Sequence, residues 1–259
     1  PVLVLLLFLM GVGPALPWRR TPAGTLRPRL LNPLFGAIVA LAIVLLAGSR
    51  SPWALAAFAG IGYALTATLR EFAVGTIARR KAHGEGWLTA LGRLVIGNPR
   101  RHGGYIAHIG VFMVAIGIAA SGGSRVEREG TLRPGETLAV GNYTVRLAGV
   151  WGRQEPQRYV IGATLELLNK RGTVIDSISP RMNFYPSSDQ PVPTPEVHST
   201  WRGDVYANLQ TFQQDGSSAT VKMILEPFVS WIWAGGGVVV LGVLLGLFAK
   251  RQRPTEEAT

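Results

Sequence analysis

The chain contains no cysteine. Thiol nucleophiles, disulfide exchange and thiolate-bound metals are therefore excluded for these residues themselves, and any thiol chemistry would have to use a partner's thiols. Acidic residues are scarce, 15 Asp and Glu against 26 Lys and Arg. No membrane-length apolar run holds a pair of carboxylates. There is no GxxxxGK(S/T) phosphate loop, no HExxH and no GxSxG, so the commonest soluble-enzyme chemistries have no anchor here. Histidine occurs four times, as His83, His102, His108 and His198.

Apolar residues make up 47% of the chain, mean hydropathy is +0.25 and the isoelectric point is near 10.8. The apolar residues are gathered into five blocks, at 1–17, 33–48, 53–69, 104–121 and 229–249, each read as a membrane-spanning helix. The charge between them is uneven. Segment 18–32 carries Arg19, Arg20, Arg27 and Arg29, and segment 70–103 carries Arg70, Arg79, Arg80, Lys81, Arg93, Arg100 and Arg101. The tail 250–259 adds Lys250, Arg251 and Arg253, whereas the short segment 49–52 has only Arg50. An excess of cations marks the cytoplasmic side, so 18–32, 70–103 and the tail are expected there, and all five spans alternate consistently. The first residue is a proline inside an apolar run. That start is expected for a fragment or processed product, and block 1–17 is read as the tail of a membrane helix rather than a signal peptide.

Segment 122–228 falls on the opposite side. It holds 11 basic and 11 acidic residues, so the whole net charge of +11 lies in the membrane-flanking parts. The basicity is thus a topology signal and not a nucleic-acid footprint. Within this segment short alternating runs flank Gly141-Asn142, Asn169-Lys170-Arg171 and 213–218, which predicts hairpins and a small all-β sandwich or barrel. The proline-rich stretch 185–195 is expected as a surface loop. The expected fold is an α-helical polytopic membrane protein with an extracytoplasmic β domain between its last two helices.

In the basic segment 70–103, Trp87, Leu88, Leu91, Leu94 and Val95 recur at helical spacing, as in a helix lying on the membrane surface or an ordinary solvated loop. His83 and His102 are expected as solvated surface histidines, and His198 as a polar surface group of the outer domain. His108 differs, because it lies within the fourth apolar block. An ionisable group inside a span marks a functional site by default. Gly104, Phe112 and Ala115 lie near its helical face, and small neighbours leave room for a flat ligand or for a close helix. Either a metal ligand or a histidine hydrogen-bonded to a neighbouring helix satisfies this pattern. Gly242 and Gly246 in the last block form a face that permits close helix contact.

The stretch 98–110, NPRRHGGYIAHIG, resembles the segment that opens a late transmembrane helix in the CcmF-type cytochrome c biogenesis proteins, the haem lyases of the Ccm system. Met10-Gly-Val-Gly-Pro14 before Trp18-Arg19-Arg20, the run Phe184-Tyr185-Pro186, and PFVSWIWAGG at 227–236 resemble that family in the same order. The resemblance spans essentially the whole chain but only the family's C-terminal part. It implies a multi-pass protein of the bacterial inner membrane with a periplasmic β domain. It also implies a transmembrane b-type haem held by two histidines, of which His108 matches one. The second ligand, a tryptophan-rich WWD motif and two outer histidines would lie outside this chain, which alone is expected to catalyse nothing. Further implied are the haem chaperone CcmE, apocytochrome c, other Ccm membrane components and the remaining N-terminal part as partners, with no nucleic acid. The implied reaction is thioether attachment of haem to CxxCH. The rival expectation is a non-enzymatic transporter or scaffold subunit with an extracytoplasmic sensor domain.

Overall fold

The computed structural model describes residues 2–13 and 23–247. The interfacial run Trp18-Arg19-Arg20 and the basic tail 250–259 lie outside the described residues. The chain divides into a helical unit, residues 1–119 with 231–259, and a β unit, residues 120–230.

The helices are α1 (Val2–Val12), α2 (Ala23–Leu31), α3 (Leu34–Leu46), α4 (Pro52–His83), α5 (Trp87–Gly97), α6 (Pro99–Ser124) and α7 (Val229–Leu247). Among the described residues, four helical stretches are long and apolar enough to cross a membrane: Leu26–Leu46, Pro52–His83, Pro99–Ser124 and Val229–Leu247. The first reaches that length because the end of α2 runs on into α3. Between α3 and α4 the chain reverses at Gly48, whose φ of +89° a side chain would oppose. Ser51 then caps α4, its hydroxyl accepting from the Ala54 N–H at 3.5 Å, with Pro52 as the first helical residue. A methyl group on Gly62 would stand 2.7 Å from the Ala40 Cβ, so the two helices touch through bare backbone, as the short connection required.

Residues 70–83 continue α4 beyond the apolar block that suggested a span ending at 69. Hydropathy falls at Arg70, but Glu71, Phe72, Ala73 and Arg79 are all compatible with helix, and nothing breaks it before Gly84 in the left-handed region. Arg80, Lys81 and His83 occupy its last turn, where positive charge suits the helix dipole. The expected helix near 87–95 is present as α5, and it folds back along α4. Ala90 is buried, Leu94 lies over Gly75, and the Arg80 guanidinium stacks 4.1 Å above the Trp87 ring. Glu85, in the turn, accepts from Arg79 and Arg93. Those two guanidiniums, Arg79 first, hold its carboxyl below the usual range.

The β unit is a sandwich. Its strands are β1 (Val126–Leu132), β2 (Thr137–Val140), β3 (Tyr143–Glu155), β4 (Arg158–Leu168), β5 (Val174–Ile178), β6 (Arg181–Phe184), β7 (Val192–Thr194), β8 (Glu196–Thr200), β9 (Gly203–Phe212) and β10 (Ala219–Pro227). One sheet runs β1-β10-β9-β8; the other runs β2-β3-β4-β6-β7, with β5 also on β4, and all pairings are antiparallel. The three expected hairpins are β2–β3, β4–β5 and β9–β10. Alternation explains the core: Leu165 and Leu167 from β4, Val205 and Leu209 from β9, and Val221 and Met223 from β10 all point inward. The stretch 185–195 is a loop that ends in β7. Pro193 is accommodated there because β7 terminates the sheet, where a missing N–H costs no ladder bond.

Candidate functional site

The site is built on α6. Asn98 closes α5 and opens α6, its Oδ1 accepting from the Arg101 N–H at 3.3 Å, and Pro99 supplies the first helical residue. From this start three faces of the helix have different surroundings.

One face meets α4. Arg101 donates to Glu71 at 2.7 Å and to the Tyr105 hydroxyl at 3.0 Å. His102 is only 5% exposed, with Nδ1 2.9 Å from the Asn98 carbonyl oxygen and its ring 5.5 Å from Phe72. The expectation of a solvated His102 is thus corrected. Because α4 continues past its apolar run, Phe72 and Tyr105 enclose a histidine that the sequence put in a basic loop. Farther along, Phe112 is 1% exposed in a cluster with Leu7 of α1 and Ile61 and Ala64 of α4, and Ala115 packs against it.

A second face meets α7 through glycines. A Cβ on Gly103 would lie 2.5 Å from the Gly242 carbonyl oxygen, and one on Gly110 would lie 2.6 Å from that of Gly235. Reciprocally, a Cβ on Gly242 would lie 2.5 Å from the Ala107 nitrogen, and one on Gly235 would lie 2.8 Å from that of Val114. Positions 103, 107, 110 and 114 on α6 and 235, 239, 242 and 246 on α7 share the same four-three-four spacing, which keeps each row on one face. The sequence showed the α7 half of this seam but not its partner.

The third face carries Gly104 and His108. Nothing lies within 4 Å of a Cβ built on Gly104. His108 is partly buried, 6.2 Å ring to ring from Phe112, and its Nδ1 is buried with no hydrogen-bond partner among the described residues. Of the four site residues expected from sequence, Gly104 and His108 share this open flank, Phe112 is packed into the α1–α4 cluster, and Ala115 lies at the border. An apolar pocket of about 530 Å³ in the helical unit is lined by α1, α3 and α4, including Phe8, Trp53 and Tyr63, and by no residue of α6.

The remaining histidines are elsewhere. His83 is exposed at the end of α4. His198 on β8 is 2.5 Å from Asp176 on β5, linking the two sheets, and is mostly enclosed. That hydrogen bond, with a second from the Ser177 N–H, holds the Asp176 carboxyl below its usual range. A cleft of about 580 Å³ opens at one end of the sandwich, with Trp151, Tyr159, Phe184 and Phe212 in its walls and Asp215 at its rim. No group of three or more His, Asp or Glu residues suited to a metal ion occurs among the described residues.

Residues 123–227, which hold every strand of the sandwich from β1 to β10, match the family model of the CcmF C-terminal beta-sandwich. Over almost its whole length the chain is similar to part of the CcmF-type proteins, and its sandwich to their C-terminal domain. It is similar to the cytochrome c-type biogenesis protein CcmF of Haemophilus influenzae, 28% identical over 250 residues, which cover 95% of this chain and 37% of that protein. The CcmF of Escherichia coli K12 is 27% identical over 253 residues, 95% of this chain and 36% of its own length. A solved structure of cytochrome c haem lyase CcmF superposes with a TM-score of 0.75 at 28% identity, covering 95% of this chain and 38% of that one. The CcmF-like chain thus spans a little over a third of the proteins it matches.

Proposed function

We propose that this chain forms the C-terminal part of a haem lyase, which attaches haem covalently to the two cysteines of CxxCH in apocytochrome c. Each thiol adds across a haem vinyl group, sulfur to one carbon and hydrogen to the other, so no atom is lost. The cysteine-free composition agrees with thiols supplied wholly by the substrate. His108 would hold a transmembrane b-type haem through its imidazole, together with a second histidine from outside these residues.

The observation that carries this reading is the His108 imidazole, held in an apolar helix beside the open Gly104 flank with a buried Nδ1 that has no hydrogen-bond partner among the described residues. A buried polar atom without a partner is costly unless a ligand or another chain completes it. A neutral imidazole and a flat open flank fit a porphyrin edge and its iron. When bound, a haem there supplies a one-electron centre able to reduce the substrate haem iron. This chain's residues hold it: His108 ligates, Gly104 leaves room, and the Phe112 cluster keeps α6 from rotating. The sandwich lies on the periplasmic side of the bacterial inner membrane, where its aromatic-walled cleft and the 185–198 segment receive CcmE, apocytochrome c or other Ccm components.

The test is an optical spectrum of the complete purified protein, oxidised and reduced, beside His108→Ala. A low-spin b-type spectrum that is lost or turned high-spin in the variant is expected. Absence of haem from both proteins would overturn the ligand assignment and return the chain to the scaffold alternative.

A further inference from the structure

We propose that α7 is a positioning helix for His108, acting through the glycine seam it shares with α6; this rests on the haem-ligand reading above. The seam brings backbone against backbone, with would-be Cβ positions 2.5–2.9 Å from the facing carbonyl oxygens and nitrogens at Gly103, Gly110, Gly235 and Gly242. Ordinary contact between such atoms needs roughly 3.5–4.0 Å, so any side chain there must part the helices by about 1 Å. Helix α6 cannot absorb that shift by moving away. Nine residues on from Gly103, and so half a turn round the helix, Phe112 is locked between Leu7, Ile61 and Ala64. Close-packed clusters of this kind resist compression.

His108 follows Ala107 directly, about 100° round the helix from the seam, between the two clamped faces. A push from α7 therefore rolls α6 against the Phe112 cluster and swings the imidazole. Ligand geometry tolerates only about 0.5 Å and 10–20° of error. The atoms nearest the would-be Cβ positions of Gly103, Gly110, Gly235 and Gly242 belong to the facing helix and not to the His108 ring, so the influence of these glycines on a bound haem is indirect, through the placement of His108.

Two variants of the complete protein test this, Gly242→Val and the gentler Gly242→Ala. The control is Gly237→Val, because a Cβ on Gly237 meets nothing within 4 Å. Haem is expected to remain bound in the Gly242 variants, with a mixed low-spin and high-spin spectrum and a shifted reduction potential, larger for Val than for Ala. Gly237→Val is expected to match the wild type. If Gly242→Val does not accumulate, Gly242→Ala decides alone. Wild-type spectrum and potential in a stably folded Gly242 variant would overturn the positioning role while leaving His108 as ligand. A wild-type protein without haem would instead sink the ligand reading itself.

Discussion

The helical unit and the sandwich solve packing in opposite ways. In the sandwich, large aliphatic side chains such as Leu165, Leu209 and Met223 fill the space between two sheets. Along α6 and α7 the contact is made by the absence of side chains. The difference follows from the solvent. Water drives Leu and Val together, whereas lipid tails are as apolar as leucine and leave close backbone packing as the source of helix association. Charge divides the same way. The sandwich is neutral overall, while the excess of cations flanks the membrane helices. The seam would be ruined by added volume and the sandwich by lost volume.

Removing volume from the sandwich should therefore have the largest effect on stability. Leu165→Ala is expected to cost about 2–5 kcal/mol, seen as an earlier transition when the full chain is unfolded by denaturant. A loss below about 1 kcal/mol would mean that the sheets close over the gap. Next comes the start of α6: Asn98→Ala removes a helix cap worth about 1 kcal/mol, read by the same measurement, and Asn98→Ser should restore most of it.

A smaller effect is expected at the edge of the sandwich. Asp176 has its carboxyl held low by His198 and the Ser177 N–H. A depressed folded-state pKa contributes stability that is present above the unfolded value, about 3.9, and is lost as pH falls through the lower folded value. Thermal stability of the wild type should thus fall more steeply below about pH 4 than that of Asp176→Asn. Parallel acid profiles would show that this pair contributes nothing. The smallest effect belongs to the outer surface of α7, where Leu241 is exposed. Leu241→Ala should change stability by no more than about 0.5 kcal/mol in detergent, in contrast to Leu165. A larger loss would mean that Leu241 packs against protein.

Much of the organisation was legible in the residues. Apolar blocks located the long helices, and period-two alternation around Gly141 and the 213–218 turn located the hairpins. The run 98–110 pointed to His108 as the residue to examine. His102 was not legible, because its burial depends on Phe72, thirty residues away on a helix that outruns its own hydrophobic signal. The Gly103–Gly110 half of the seam was equally hidden. Glycines in an apolar helix look alike until the facing helix is known.

The sequence by itself determined the membrane character, the neutral β insert, the lack of thiols and the presence of an ionisable group within a span. These are properties of composition and local period, which each segment carries alone. Tertiary structure decided which face of α6 remains open, that Phe112 and Ala115 serve packing while Gly104 and His108 share the open flank, and that α7 abuts α6 backbone to backbone. Those outcomes depend on contacts between segments distant in the chain, and their energies exist only once both partners are in place.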